Sequence, residues 1–152
     1  MDEIELTRIL MANEVTSPYF CGVVAHDQLN LMPTPKTGFF VCNTDDSEGP
    51  GKHWVVFAWT EPKNPVEFFD SLAKPPDLYH KDFVNFLINK GPNYTYSVKR
   101  IQAQGSIVCG EYCVFYAYHR CQGYSMLEIL NYFSDKDLEA NDEIVSRFVK
   151  SL

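Results

Sequence analysis

A histidine, an aspartate and a cysteine follow one another along the chain in an order that could support nucleophilic chemistry: His53, Asp70 and Cys109. Thiol catalysis needs a thiolate, an imidazole within reach of it, and a third group that fixes the imidazole's tautomer. His53 opens the apolar run HWVVFAW at 53–59, and Asp70 stands near the end of VEFFDSL at 66–72. If these runs are neighbouring antiparallel strands, the two side chains meet at one edge of a sheet. Cys109 precedes Gly110 at the start of a largely apolar stretch. A helix beginning there would offer unpaired N–H groups and a positive dipole end, both of which favour a thiolate. A developing oxyanion also needs donors, and the Cys109 N–H with the side-chain amide of Gln102 or Gln104 could provide them. Taken singly, each residue has an ordinary explanation. A His beside a Trp packs and hydrogen-bonds, an Asp at a strand end caps a turn, and a Cys on an apolar helix is a small buried hydrophobe. The combination and its order carry the reading.

The elements that must position these groups can be read from hydrophobic patterning. Residues 3–13 set Ile4, Leu6, Ile9 and Leu10 among charges, a modest helix signal. GFFVCN at 38–43, HWVVFAW and VEFFDSL are short, aromatic and β-branched, and read as strands. The near-continuous hydrophobicity of 53–59 predicts a central strand buried on both faces. Asp77, after Pro75-Pro76 and before Leu78, Phe83, Phe86 and Leu87, predicts a capped amphipathic helix closed by Gly91-Pro92. YTYSVK at 94–99 predicts a further strand. From Gly110 to about Arg120 apolar residues cover most of a helix's circumference, so that helix should be buried centrally. Ser125 with Glu128 forms a capping-box pattern, and Asn141 before Ile144, Val145, Phe148 and Val149 predicts the start of the last helix. The expected class is α+β in one domain over 1–152: a small mixed central sheet packed against helices, with the nucleophile at the N-terminus of a buried central helix. The loop TDDSEGPGK at 44–52 precedes the most aromatic strand, where function tends to gather.

Composition sets limits on partners. At 152 residues and 45% apolar content, with 11 Phe and 9 Tyr, the chain can bury a substantial core. No run approaches the roughly 18 apolar residues of a membrane span, and the acidic, amphipathic start lacks the basic region of a secretory signal. No membrane association is expected. The five cysteines, at 21, 42, 109, 113 and 121, show no disulfide-framework spacing, which predicts a reducing compartment. A net charge of −7 argues against a broad phosphate-binding face. Lys99-Arg100, the densest basic spot, reads as the solvated end of a strand.

The segments G-K-H53-W54-V-V-F-A-W59, E-F-F-D70-S-L and Q102-A-Q-G-S-I-V-C109-G110 resemble the adenovirus endopeptidase (adenain) family of cysteine proteases. The wider clan includes the proteases that remove SUMO and other ubiquitin-like modifiers. P18-Y19-F20-x-G22 and C109-G-x-x-C113 extend the resemblance, which runs from about residue 17 to 120. It implies that His53 is the general base, Asp70 its orienting acid, Cys109 the nucleophile and Gln102 an oxyanion donor. It also implies that Trp54 roofs a narrow approach through which substrates pass glycine, with Trp54 and Gly110 as substrate-binding positions. Adenains usually carry Glu at the third position, and Asp70 is typical of the SUMO-protease side. The implied substrates are viral capsid or core precursor polypeptides, cut after Gly-Gly or Gly-X, in the virion and host-cell interior. The alternatives are ubiquitin-like proteins as substrates, or a binding module that kept the fold without the chemistry. The family's activators are DNA and a disulfide-linked peptide. No cysteine lies between Cys42 and Cys109, and the charge is acidic, so neither activator is expected here.

Other arrangements fit less well. The Gly that follows the catalytic His of caspase-like enzymes is replaced by Trp54, and Cys21 paired with His80 or His119 in papain order has no supporting local motif. A zinc site from Cys109, Cys113, His119 and Cys121 would draw its ligands from barely three turns of one helix, a poor enclosure for a tetrahedral ion. His26 and His80 have no partner motif and read as satisfied surface residues. No metal or cofactor is expected.

Overall fold

A computed structural model describes residues 1–45, 53–60, 64–91 and 93–152. Most of the 44–52 loop singled out above, and Pro92, lie outside these residues. Five strands form one sheet: β1 (Phe20–Ala25), β2 (Gly38–Asn43), β3 (Trp54–Trp59), β4 (Val66–Phe69) and β5 (Tyr94–Tyr96), in spatial order β1-β2-β3-β4-β5. The inner pairs β2–β3 and β3–β4 are antiparallel, whereas β1–β2 and β4–β5 are parallel, so the sheet is mixed as expected. Every residue of β3 is buried. Its alternation explains why: Trp54, Val56 and Ala58 join one core, with Phe39, Val41, Phe69 and the apolar face of α3 (Cys109–Cys121). Val55, Phe57 and Trp59 join the other, with Phe40, Phe68 and the Phe83, Phe86 and Leu87 stripe of α2 (Lys81–Lys90). A strand with apolar side chains on both faces has no choice but the middle of the sheet.

Helix α1 (Glu3–Ala12) is capped by Asp2, α4 (Met126–Tyr132) by the capping box of Ser125 and Glu128 that the sequence predicts, and α5 (Leu138–Lys150) by Asp137. Four local expectations need correction. Asp77 does not open α2: Pro76–Leu78 forms a 3-10 turn, and the His80 side chain caps the helix by accepting the Asp82 N–H. Asn141 does not open α5 but sits inside it, its buried amide donating to the carbonyls of Ile101 and Ser134. The 94–99 strand stops at Tyr96 because Ser97 Oγ, rather than a ladder carbonyl, takes up the Asp70 N–H and carbonyl at 2.8 and 3.0 Å. Lys99 is no solvated end, since its ammonium donates to the carbonyls of Leu130 and Phe133 at the C-terminal end of α4. β1 was not anticipated; Gly22 at φ 140° accommodates an irregularity in its pairing with β2.

Candidate active site

Antiparallel pairing of β3 and β4 puts the residue before β3 and the residue after β4 at the same end of the sheet. There His53 Nε2 meets Asp70 Oδ1 at 2.6 Å, both groups being buried. The backbone then folds tightly around the carboxylate. Ala73 adopts φ 60°, a conformation uncommon for a residue with a Cβ, and the turn aims the N–H groups of Leu72 and Lys74 at Asp70 from 3.0 and 3.2 Å. The Tyr79 hydroxyl completes the set by donating to Asp70 Oδ2 at 2.5 Å, and its ring stacks on the His53 imidazole. With four donors, Asp70 is held as the ionised acceptor. Its pKa is lowered, because the bonds from His53, Tyr79 and Leu72 outweigh a burial that would raise it.

Cys109 is the first residue of α3, and it lines the same cleft as His53, near enough for the thiol to help raise the imidazole pKa. Because Nε2 of the imidazole is committed to Asp70, Nδ1 is the nitrogen left for the sulfur. Burial alone would depress the His53 pKa, but the hydrogen bonds and charges of Asp70 and Cys109 overcome it and raise the pKa to about 9. The ring therefore holds its proton at neutral pH, on the side of the cleft where Cys109 stands. The other cysteines are differently placed. Burial pushes the Cys113 thiol far up and the Cys121 thiol to about 11, so neither is primed to react.

Gln102 is buried at the side of the same cleft. Its Oε1 accepts from Ser71 Oγ at 2.6 Å, which leaves Nε2 as the donating end, bonded to the Ser106 carbonyl at 2.9 Å. Ser71 follows Asp70, and its carbonyl also accepts the N–H groups of Ile101 and Gln102. The turn that orients Asp70 thereby also fixes the amide. Gln104 is exposed. His53, Trp54, Tyr79, Gln102, Ser106 and Cys109 line one cleft. As the first residue of α3, Cys109 has an N–H with no partner within its own helix, a position from which it can donate at the edge of the cleft.

The structure thus brings together His53, Asp70, Cys109 and Gln102. Trp54 walls the cleft, with its indole N–H on the Met1 carbonyl at 3.0 Å. Gly110 is buried next to Cys109 against the Met1 side chain, where an added Cβ would lie 3.1 Å from Met1 Cβ. Tyr79 and Ser71 were missed: nothing in their spacing singles them out, and only the fold delivers them to Asp70 and Gln102. Among the described residues, Cys109, Cys113, His119 and Cys121 do not converge as a metal-ligand cluster.

No protein-family model and no curated protein sequence matches the chain. Solved structures do. The crystal structure of ASFV pS273R protease matches with a TM-score of 0.60 at 18% identity, covering 95% of this chain and 65% of that one. A structure of the Se-Met form of ASFV pS273R protease matches with a TM-score of 0.45 at 22% identity, covering 75% of this chain and 44% of that one. The chain therefore spans about 65% of the length of the first of these proteases and shares its fold.

Proposed function

We propose that the chain is a cysteine endopeptidase. The observation that carries this reading is the hydrogen-bonded set Tyr79–Asp70–His53, which shares one cleft with the Cys109 thiol at a helix N-terminus and with the Gln102 amide. In the mechanism the Cys109 thiolate attacks the scissile carbonyl. The oxyanion is held by the Cys109 N–H and Gln102 Nε2, and the His53 imidazolium gives its Nδ1 proton to the departing amine. The acyl group remains on sulfur as a thioester. His53, now neutral, takes a proton from water as the water oxygen attacks the thioester, so that the carboxylic acid leaves and the Cys109 thiolate beside the His53 imidazolium is restored. Asp70 keeps the ring oriented throughout.

The resemblance to adenains supports viral precursor polypeptides as substrates and glycine before the cut. Asp70, in place of the Glu usual in adenains, gives some support to a second reading, the release of ubiquitin-like proteins. Acidic net charge and the missing cysteine support activity without DNA or a coupled peptide. The test is to incubate the purified chain, without either activator, with a precursor-derived peptide library and with ubiquitin-like conjugates. Iodoacetamide reactivity of each cysteine is measured in parallel. Turnover of either substrate class, with Cys109 alkylated first, is expected. Slow Cys109 alkylation together with no cleavage would leave a binding module as the answer.

A further inference from the structure

Away from the cleft, two histidines that read as unrelated surface residues converge on one carboxylate. His26 follows β1, while His80 and Asp82 stand at the start of α2. His26 Nδ1 lies 2.9 Å from Asp82 Oδ2, and His80 Nδ1 lies 3.1 Å from the same oxygen. The two imidazoles stack with centroids 3.9 Å apart. One potential ligand atom from each residue falls within 4.8 Å of the other two, and all three residues are half-buried.

We propose that His26, His80 and Asp82 form a binding site for a single divalent transition-metal ion, with zinc the ion best matched to the donors. Two imidazoles and one carboxylate are a donor set that zinc accepts with water in the fourth position. Ligand bonds of about 2.0–2.1 Å in a tetrahedron place donor atoms about 3.3 Å apart. The two His–Asp separations need to open by only a few tenths of an ångström to meet that. His80 Nδ1 accepts the Asp82 N–H at 3.1 Å as the cap of α2, so an ion bound there takes over that lone pair and exchanges the cap for a ligand bond. The surroundings are also negative: after burial, the charges of Asp27 and Asp82 are what push the neighbouring Cys42 thiol upward. An ion here would clip the turn after β1 to the start of α2, one residue from the Tyr79 that holds Asp70. The site does not depend on the protease reading.

The test uses the full chain carrying Cys109→Ala, so that the cleft thiol cannot compete, stripped with EDTA and titrated with Zn²⁺ by calorimetry. Saturable binding of one ion per chain at micromolar Kd or tighter is expected, with Tm rising along the same isotherm. Co²⁺ should give tetrahedral visible bands without thiolate charge transfer. His80→Asn removes the ligand yet keeps a good helix cap. It and His26→Gln should each weaken binding by at least about tenfold, since loss of even an outer-shell partner has that effect. No saturable binding, affinity unchanged in both variants, or a thiolate charge-transfer band on Co²⁺ would each overturn the proposal.

Discussion

Strand β4 and the residue that follows it carry two buried carboxylates, Glu67 and Asp70, and the molecule treats them in nearly the same way. Each accepts a tyrosine hydroxyl and each faces a nitrogen cation. For Asp70 these are Tyr79 and His53. For Glu67 they are Tyr116 and the fork of Arg120, whose Nε and Nη2 donate at 2.9 and 2.7 Å. The difference lies in the cation. A guanidinium never releases its proton in the working range, and the Arg120 pKa is raised further by the Glu67 bond, so that cluster can only hold β4 against α3. An imidazole whose pKa stands at about 9 can both keep and give up a proton, and it has a thiol on its free side. Buried carboxylate, tyrosine and cation together do not make an active site; a cation that can exchange its proton next to a nucleophile does.

The comparison breaks most sharply under substitution. Cys109→Ala and His53→Ala should each lower kcat/KM by at least about 10⁴-fold, as loss of a member of a catalytic unit does, and Cys109→Ala should leave the fold in place. Arg120→Met should do the opposite. Leaving Glu67 buried without its cation should cost about 3 kcal/mol or more of stability, with kcat per folded molecule unchanged. Peptide hydrolysis and urea unfolding of the three variants decide it. Near-wild-type turnover in Cys109→Ala would remove the nucleophile, and loss of turnover in a folded Arg120→Met would remove the distinction between the clusters.

Next in size is the oxyanion donor. Gln102→Ala should lower kcat by roughly 10²–10³ with little change in KM, whereas Gln104→Ala, an exposed residue, should have little effect. Because Ser71 holds Oε1 of Gln102, Ser71→Ala should reproduce part of the loss by freeing the amide to turn. Equal effects at Gln102 and Gln104 would show that neither amide is aimed at the reacting carbonyl.

How far the sequence revealed all this follows from where each signal resides. β2, β3 and β4 were legible because their apolar runs exceed what one buried face needs. His53, Asp70 and Cys109 were legible because thiol chemistry needs those types, while their order, and Gln102 in preference to Gln104, were read from the resemblance to a known family. β1 was not, since FCGVVA is interrupted by a glycine and gives no clean alternation. The start of α2 was misplaced because Pro75-Pro76-Asp77 mimics a capped start, and a histidine side chain as the true cap carries no sequence signature. Asn141 looked like a cap for the same reason, although tertiary hydrogen bonds consume its amide. Tyr79 at Asp70, and His26 beside His80, are products of long-range packing that no local pattern announces.

The proton-exchanging cluster should also declare itself through pH. His53 has a folded-state pKa of about 9 against an ordinary value of 6.5. Its protonation therefore contributes stability fully below about pH 6.5, and that contribution is lost as pH rises through about 9. The loss amounts to about 3 kcal/mol, and kcat/KM should fall over the same alkaline window as the imidazolium disappears. In Cys109→Ala, which lacks the bond and charge of the sulfur, the NMR titration of His53 should move to lower pH. The Glu67–Arg120 cluster should contribute no such slope. A stability profile flat from pH 7 to 10 would mean that His53 is neutral in the folded chain.

The smallest expected effect tests whether the cleft selects its substrate. Trp54 is 8% exposed and pinned by its indole N–H to the Met1 carbonyl, so it cannot swing aside to admit a bulky residue. A wall fixed at one end by a hydrogen bond and packed on its other face responds to an added methyl as a core does, with strain rather than accommodation. A substrate with glycine just before the cut should thread past it, and the alanine counterpart should lose at least about tenfold in kcat/KM, or roughly 1.4 kcal/mol. The comparison requires two peptides differing by that one methyl, assayed on the same enzyme. Trp54→Ala provides the control, because removing the wall should shrink the glycine preference even as overall activity falls. Equal rates for the two peptides on the wild-type chain would mean that the approach to Cys109 is open and that Trp54 serves packing alone.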